Sequence, residues 1–320
     1  MQHSPICWRP SLHINPKKIP MKKIMITFIS LGLLSFNQLA IAQTNSMEKR
    51  YQPKDEMRIN TVSGNCIIKE SKTNEIVIIL DYTYPDDCFD YSIEERNGYI
   101  ALKENFKGRR CKGDSNWTIL IPKNTTIEYN TASGSVSIEG VNSRSNISTA
   151  SGDIHIKNVD SDVLKARTAS GDIWVENANA HFSMSTASGD ITFNKCMGHI
   201  ELSSASGTIK ANGIDVTSSS KISTASGSIN VLLASQLKSD LTLSSASGSV
   251  ELNLNGYKPK GTYTFTAKAN KGEIVSPWKF DSETQITKNN DLYNVKSFTL
   301  GDNLPVVNLK TASGKCSLTK

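Results

Sequence analysis

Three aspartates, Asp153, Asp172 and Asp190, stand 18 or 19 residues apart, and each is followed two residues later by a side chain able to contact a ligand: His155, Trp174 and Thr192. Stacked carboxylates could hold a divalent cation or a network of sugar hydroxyls, and a pair of them could serve as acid and base in polysaccharide cleavage. Trp174 could stack on a sugar ring, with His155 one repeat away. Simpler readings stand beside these: aspartate is a common solvated turn residue, and a tryptophan can lie on a sheet face without a ligand. At a strand spacing of about 4.8 Å, neighbouring carboxylates repel by about 1 kcal/mol in water and about 3.5 kcal/mol at an effective dielectric of 20. Whatever positions them has to offset that.

The positioning element is a repeat. Thr/Ser-Ala-Ser-Gly occurs eight times, and seven copies recur every 18 to 21 residues, with glycines at Gly134, Gly152, Gly171, Gly189, Gly207, Gly227 and Gly248. A period near 20 means one supersecondary unit per repeat, each covering the apolar face of its neighbours. Two and four residues after the glycines stand apolar pairs such as Ile154/Ile156, Ile173/Val175 and Ile191/Phe193, with mostly polar residues between them. That alternation is the signature of a half-buried strand. Five residues before the glycines a second apolar column runs Tyr129, Ile147, Ala166, Met184, Leu202, Ile222, Leu243. At the far bend a third column, seven after the glycine, holds Val141, Val159, Ala178, Cys196, Ile214 and Ala234.

The expected fold is therefore all-β: a parallel β-solenoid, or β-helix, of 18–21-residue coils with β-strand caps at both ends, right-handed by the crossover rule. In the tag, glycine is expected to supply backbone freedom at a tight bend, and each Thr or Ser to hydrogen-bond its copy in the next coil. Six intervals between the seven glycines give a rod of roughly 29 Å. Thr61-Val62-Ser63-Gly64 reads as a degenerate first tag, and a hairpin is expected around Arg96-Asn97-Gly98. Beyond Gly248 the period breaks, with a weak tag at Lys271-Gly272-Glu273-Ile274 before the last clear one at 311–314. The domain reading is a single solenoid over 57–320, with first coil and cap strands in 57–130, regular repeats in 131–256 and irregular coils in 257–320, after a linker at 43–56.

Residues 21–42 read as a signal peptide: Met21-Lys22-Lys23, an apolar run from Ile24 to Phe36, and a small-residue cleavage site at Ala40-Ile41-Ala42. The apolar run has 13 residues, short of the ~20 that a membrane span requires. Residues 1–20, with four prolines, read as lying upstream of the true start, either an over-extended frame or a disordered tail. Of the 36 Lys and Arg, five lie in 1–42, which holds no Asp or Glu, so the exported chain carries 31 basic against 30 acidic residues. The overall excess of basic residues thus belongs to the leader, and neither nucleic acid nor a membrane span is expected of the mature chain.

Cysteine placement fits export. Cys88 and Cys111 flank the expected hairpin and read as a disulfide, since an exported chain meets an oxidising compartment. Cys66, Cys196 and Cys316 fall in apolar columns and read as buried free thiols. Metal binding finds no close ligand spacing, and His155, His181 and His199 are scattered; a divalent cation at Asp153, Asp172 and Asp190 is the one cofactor alternative. Sequence motifs for a metalloprotease, a nucleophile elbow or a phosphate loop are absent, and the Ser-x-x-Lys matches at Ser235–Lys238 and Ser276–Lys279 lack a helix start.

The serial Thr-Ala-Ser-Gly-Asp-Ile tags at 149–154, 168–173 and 186–191, led by Ile121-Pro122-Lys123 and an exported leader, resemble the bacterial putative adhesin family of β-solenoid envelope proteins. The resemblance covers about 57–320. It implies a non-enzymatic periplasmic, surface or secreted protein, with some relatives tied to envelope-stress systems, and brings no catalytic residues. The functional expectation is an exported adhesin or binding module whose partner is an envelope or surface component, glycan or protein. Two alternatives remain at this level: a periplasmic scaffold or envelope-stress interaction module, and a β-helical polysaccharide-degrading enzyme.

Overall fold

A computed structural model describes residues 44–108, 110–301 and 304–320. Residues 21–42, read from sequence as a signal peptide, and residues 1–20 before them lie outside the described residues, as does Arg109. Every regular element among the described residues is a strand, and successive tags bring their strands into two parallel ladders. Along the first, Cys66, Val136, Ile154, Ile173, Ile191, Ile209, Ile229, Val250 and Cys316 are register partners in turn. Along the second, Ile59, Tyr129, Ile147, Ala166, Met184, Leu202, Ile222, Leu243 and Leu309 do the same. Both columns are buried, and they pack against each other as the core of the β-solenoid. The far-bend column is buried too, with one correction. Ala234 is exposed, because a register shift between Asn212 and Ile214 puts Leu233 opposite Ile214.

The tag glycines are required by closeness rather than by dihedral freedom. None of the seven has a positive φ. A Cβ built on Gly171 would instead overlap the carbonyl oxygen of Gly152, and one on Gly189 that of Gly171, repeating to Gly248 against Gly227. The tag hydroxyl also behaves differently from expectation. Thr186 Oγ1 accepts from Gly189 N at 3.0 Å and donates to Gly171 O at 3.2 Å. Ser204, Thr224 and Ser245 repeat that pair of bonds. The hydroxyl therefore ties its own glycine to the glycine below, and no hydroxyl-to-hydroxyl ladder forms.

Both ends of the stack are built out of chain order. At the start, strands Glu56–Asn60 and Asn65–Glu70 lie between the layer holding Tyr99–Phe106 and Ser115–Ile121 and the layer holding Thr126–Thr131 and Val136–Glu139. At the finish, Val306–Thr311 and Gly314–Thr319 are inserted between the coil of Leu241–Ser245 and Val250–Asn253 and the coil of Gly261–Lys268 and Gly272–Val275. The weak tag is real in register, with Gly272 opposite Gly314. Antiparallel strands cover the exposed layers: Phe89–Glu95, Ile76–Tyr82 and Asn45–Tyr51 at one end, Asp291–Leu300 and Ser282–Lys288 at the other. Residues 45–51, read from sequence as linker, thus form a cap strand paired to Ile76–Tyr82, with Met47 and Tyr51 packed against the core.

Glu104 completes the first cap. It follows Ile100 and Leu102 in an alternating inward column and is buried. Its Oε2 accepts from the backbone N–H groups of Val62, Ser63 and Gly64 at 2.7, 3.3 and 3.3 Å. Its Oε1 accepts from Ser115 Oγ at 2.6 Å and Trp117 Nε1 at 2.7 Å. Cys88 and Cys111 are joined by a disulfide in the same cap.

Candidate functional site

The aspartates stand at the exit of the tag bend, one residue after each glycine. There the side chain of one coil reaches the backbone of the next: Asp172 N–H donates to Asp153 Oδ1 at 2.9 Å, Asp190 N–H to Asp172 Oδ1 at 2.8 Å, and Thr208 N–H to Asp190 Oδ1 at 2.7 Å. The file begins earlier, with Ser135 N–H on Asn65 Oδ1 and Asp153 N–H on Ser135 Oγ. Charge-assisted bonds of this kind are the strong ones, and they offset the repulsion between stacked carboxylates. The carboxylates stand in single file, and among the described residues no three His, Cys, Asp or Glu side chains gather as a metal site. Each Oδ2 accepts no hydrogen bond from a described residue, leaving one oxygen per coil for solvent or a ligand.

Two residues further on, strand alternation turns the side chains outward from the first ladder. His155, Trp174 and Thr192 are direct register partners, with Ser137 before them and Lys210 after. His155 and Trp174 meet edge to face, ring centroids 5.7 Å apart. Trp174 is 45 % exposed, and its Nε1 lies 3.0 Å from the side-chain amide of Asn194, whose oxygen accepts the indole N–H when turned toward it. The structure therefore brings all six sequence-chosen residues onto one face, the aspartates in one column and His155, Trp174 and Thr192 in the next.

Sequence reasoning missed the groups that frame this pair. Glu139, Lys157 and Glu176 line a shallow hollow with His155 and Trp174. They continue a column of alternating charge, with Lys69 to Glu139 at 2.9 Å and Lys157 to Glu176 at 3.2 Å. The hydrogen bond and charge of Lys69 hold the exposed Glu139 carboxyl below the usual carboxylate range, with a smaller contribution from Lys157. The signal was present in the sequence, since these are the residues five after each glycine. Asn194 occupies the same position one coil on.

The free thiols have no place in such a site. Cys66, Cys196 and Cys316 are buried, and burial pushes the thiol of Cys196 up to about 11 and that of Cys316 up to about 12. Thiols held neutral in this way are poor nucleophiles and poor ligands.

The profile of a family described as Toastrack DUF4097 matches residues 55–274. No curated protein matches the sequence. Among solved structures, the chain is similar to a "putative lipid binding protein" from Parabacteroides distasonis, 18 % identical over 88 % of this chain and 97 % of that one, with a TM-score of 0.50. A "putative adhesin" from the same organism, 12 % identical over 87 % of this chain and 98 % of that one, gives a TM-score of 0.44. Another from Bacteroides fragilis, 13 % identical over the same shares, gives 0.43. At 18 % identity, the first of these speaks to the fold alone.

Proposed function

The chain belongs to the Toastrack DUF4097 family, and on that premise we propose that it is a non-enzymatic, exported protein of the cell envelope that binds a glycan through the face carrying Trp174. The observation that carries this reading is the fixed setting of the indole. Its N–H is held by Asn194, its ring meets His155 at a steep angle, and the side chain stays exposed. A ring ordered before the ligand arrives spares part of the entropy cost of binding. The free Oδ2 atoms of Asp153, Asp172 and Asp190 lie one column away and can accept from sugar hydroxyls without altering the stack.

A polysaccharide array probed with the full chain tests the reading. Trp174→Ala is expected to weaken the strongest signal by about tenfold or more, the loss typical of an aromatic anchor, while the thermal midpoint stays unchanged. Undiminished signal in that variant would overturn it. Cell fractionation tests the location: recovery of the chain from the periplasm, surface or medium is expected, and cytosolic retention would sink the export reading.

A further inference from the structure

The second ladder presents a different outward chemistry. Ser185, Ser203, Ser223 and Ser244 are register partners in four successive coils, with Arg167 before them and Lys310 after. Neighbouring strands in this column are about 4.8 Å apart. Beyond Lys310 the sheet continues through Gly261–Lys268 into the antiparallel hairpin of Asp291–Leu300 and Ser282–Lys288. The hairpin closes over the face: Ile286, Lys288 and Tyr293 line one hollow together with Ser223, Ser244 and Lys310. A second hollow shares Ser223 and runs on past Lys221 and Ser203 to Arg167. The two make one trough along the stack, floored by hydroxyls and walled at its closed end by an aromatic ring.

Charge gives the trough its sign. Arg167, Lys221, Lys288 and Lys310 make no ion pair with a described residue. Its carboxylate, Glu201, is the register partner of Lys221 and lies 3.7 Å from His199. Four cations against one acid, in a concave strip, concentrate a negative ligand.

We propose that this trough, separate from the Trp174 face, is a binding site for a linear anionic polysaccharide. Serine hydroxyls both donate and accept, as sugar hydroxyls do, so a column of them can follow a carbohydrate chain along the stack. The cations meet its acidic groups, and Tyr293 offers one ring for a sugar at the closed end. A single-stranded nucleic acid would call for successive aromatic platforms, and here Tyr293 stands alone. An apolar surface would call for a wide greasy patch, and Ile286 is the one exposed large aliphatic side chain in the trough.

The test titrates the full chain with polygalacturonate, heparin, neutral dextran and single-stranded DNA. The acidic glycans are expected to bind, more weakly as salt rises, and dextran is not expected to reach this site. Binding by polygalacturonate or by heparin supports the proposal and names carboxylate or sulfate as the anion. Lys288→Gln/Lys310→Gln is expected to lower affinity for the acidic glycan by about tenfold or more, and Tyr293→Ala to lower it as well. Lys310→Arg, which keeps the charge, retains binding, and Trp174→Ala leaves it untouched. All these side chains are exposed or half-buried, and an unchanged thermal midpoint verifies the fold. Dextran bound as tightly as the acidic glycans by the Trp174→Ala variant, DNA bound as tightly as they are, no binding by either acidic glycan, or a double lysine variant indistinguishable from wild type overturns the proposal.

Discussion

Glu104 Oε2 lies 2.7 Å from the backbone nitrogen of Val62, in the place that a carbonyl of the preceding coil takes at later tags. Ala205 N–H, for example, donates to Thr186 O and Ser206 N–H to Ala187 O. The layer below the first tag, Tyr99–Phe106 and Ser115–Ile121, has no tag bend between its strands, and one buried carboxylate stands in for that missing backbone. Glu104→Ala leaves three amides, a hydroxyl and an indole N–H without partners. At about 1–3 kcal/mol for each buried orphan, and with incomplete additivity, a loss of more than about 3 kcal/mol is expected in urea unfolding. A loss below about 1 kcal/mol would show that water replaces the carboxylate.

Gly171 and Gly140 separate crowding from dihedral strain. Gly140 has a φ of 66° and nothing within reach of an added methyl, so Gly140→Ala is expected to cost about 1–2 kcal/mol. Gly171 has an ordinary φ but a carbonyl where the Cβ would go. Gly171→Ala should cost at least about 3 kcal/mol, above the usual range for overpacking, because backbone cannot rotate aside as a side chain can. Thermal denaturation of the two variants gives the comparison directly, and equal costs would refute the steric account.

Thr186→Val removes a hydroxyl that serves two glycines and leaves a buried N–H and carbonyl unpaired. A destabilisation of about 1–3 kcal/mol is expected. Thr186→Ser should cost less than about 1 kcal/mol, since Ser204 performs the same bonds in the next coil. Chemical denaturation midpoints of the pair check this.

The Cys88–Cys111 bond closes a sequence separation of 23 residues. Its removal by Cys88→Ser/Cys111→Ser is expected to cost about 3 kcal/mol. The effect should be local to the cap: amide exchange should quicken in Phe89–Glu95 and Tyr99–Phe106, while Ile173–Thr186 keeps its protection.

Cys196 and Cys316 should resist alkylation at pH 8 in the native protein and react on unfolding. Their native values, about 11 and about 12, exceed the ~8.5 of an unfolded thiol. The unfolded state therefore loses protons first as pH rises. The stability linked to these neutral thiols is whole below about pH 8.5 and declines progressively as pH climbs from there toward their native values. Urea midpoints at pH 8 and pH 10 should fall in that order.

The regular coils were legible because their information is local. A glycine every 18 to 21 residues, with Ile173 and Val175 alternating beyond it, fixes which side chains point inward and which residues share a column. Contacts between distant segments were not legible. Nothing near residues 45–51 says that their partner is Ile76–Tyr82, and nothing in the last tag says that 306–319 lies between two earlier coils. Ala234 failed for a related reason: the shift at Gly213 alters the count by one. Glu104 left a trace that sequence reading passed over. It is a charge in the inward column of Tyr99–Phe106, where alternation calls for an apolar residue. On the candidate face, the columns were legible from spacing, whereas the hold of Asn194 on Trp174 depends on rotamers that spacing does not encode.

The inserted coils at 56–70 and 306–319 also determine how the protein carries load. A spring wound in simple order would peel one winding at a time when tugged by its tips. At the finish, a pull on Gly314–Thr319 grips the second winding from that extremity, where Leu309 and Cys316 are each flanked by strands on both sides, whereas at the start it meets the edge strand Asn45–Tyr51 first. Traction at the finish then has to break two rows of hydrogen bonds together, while at the start one row gives way alone, so the two extremities should yield at unequal force.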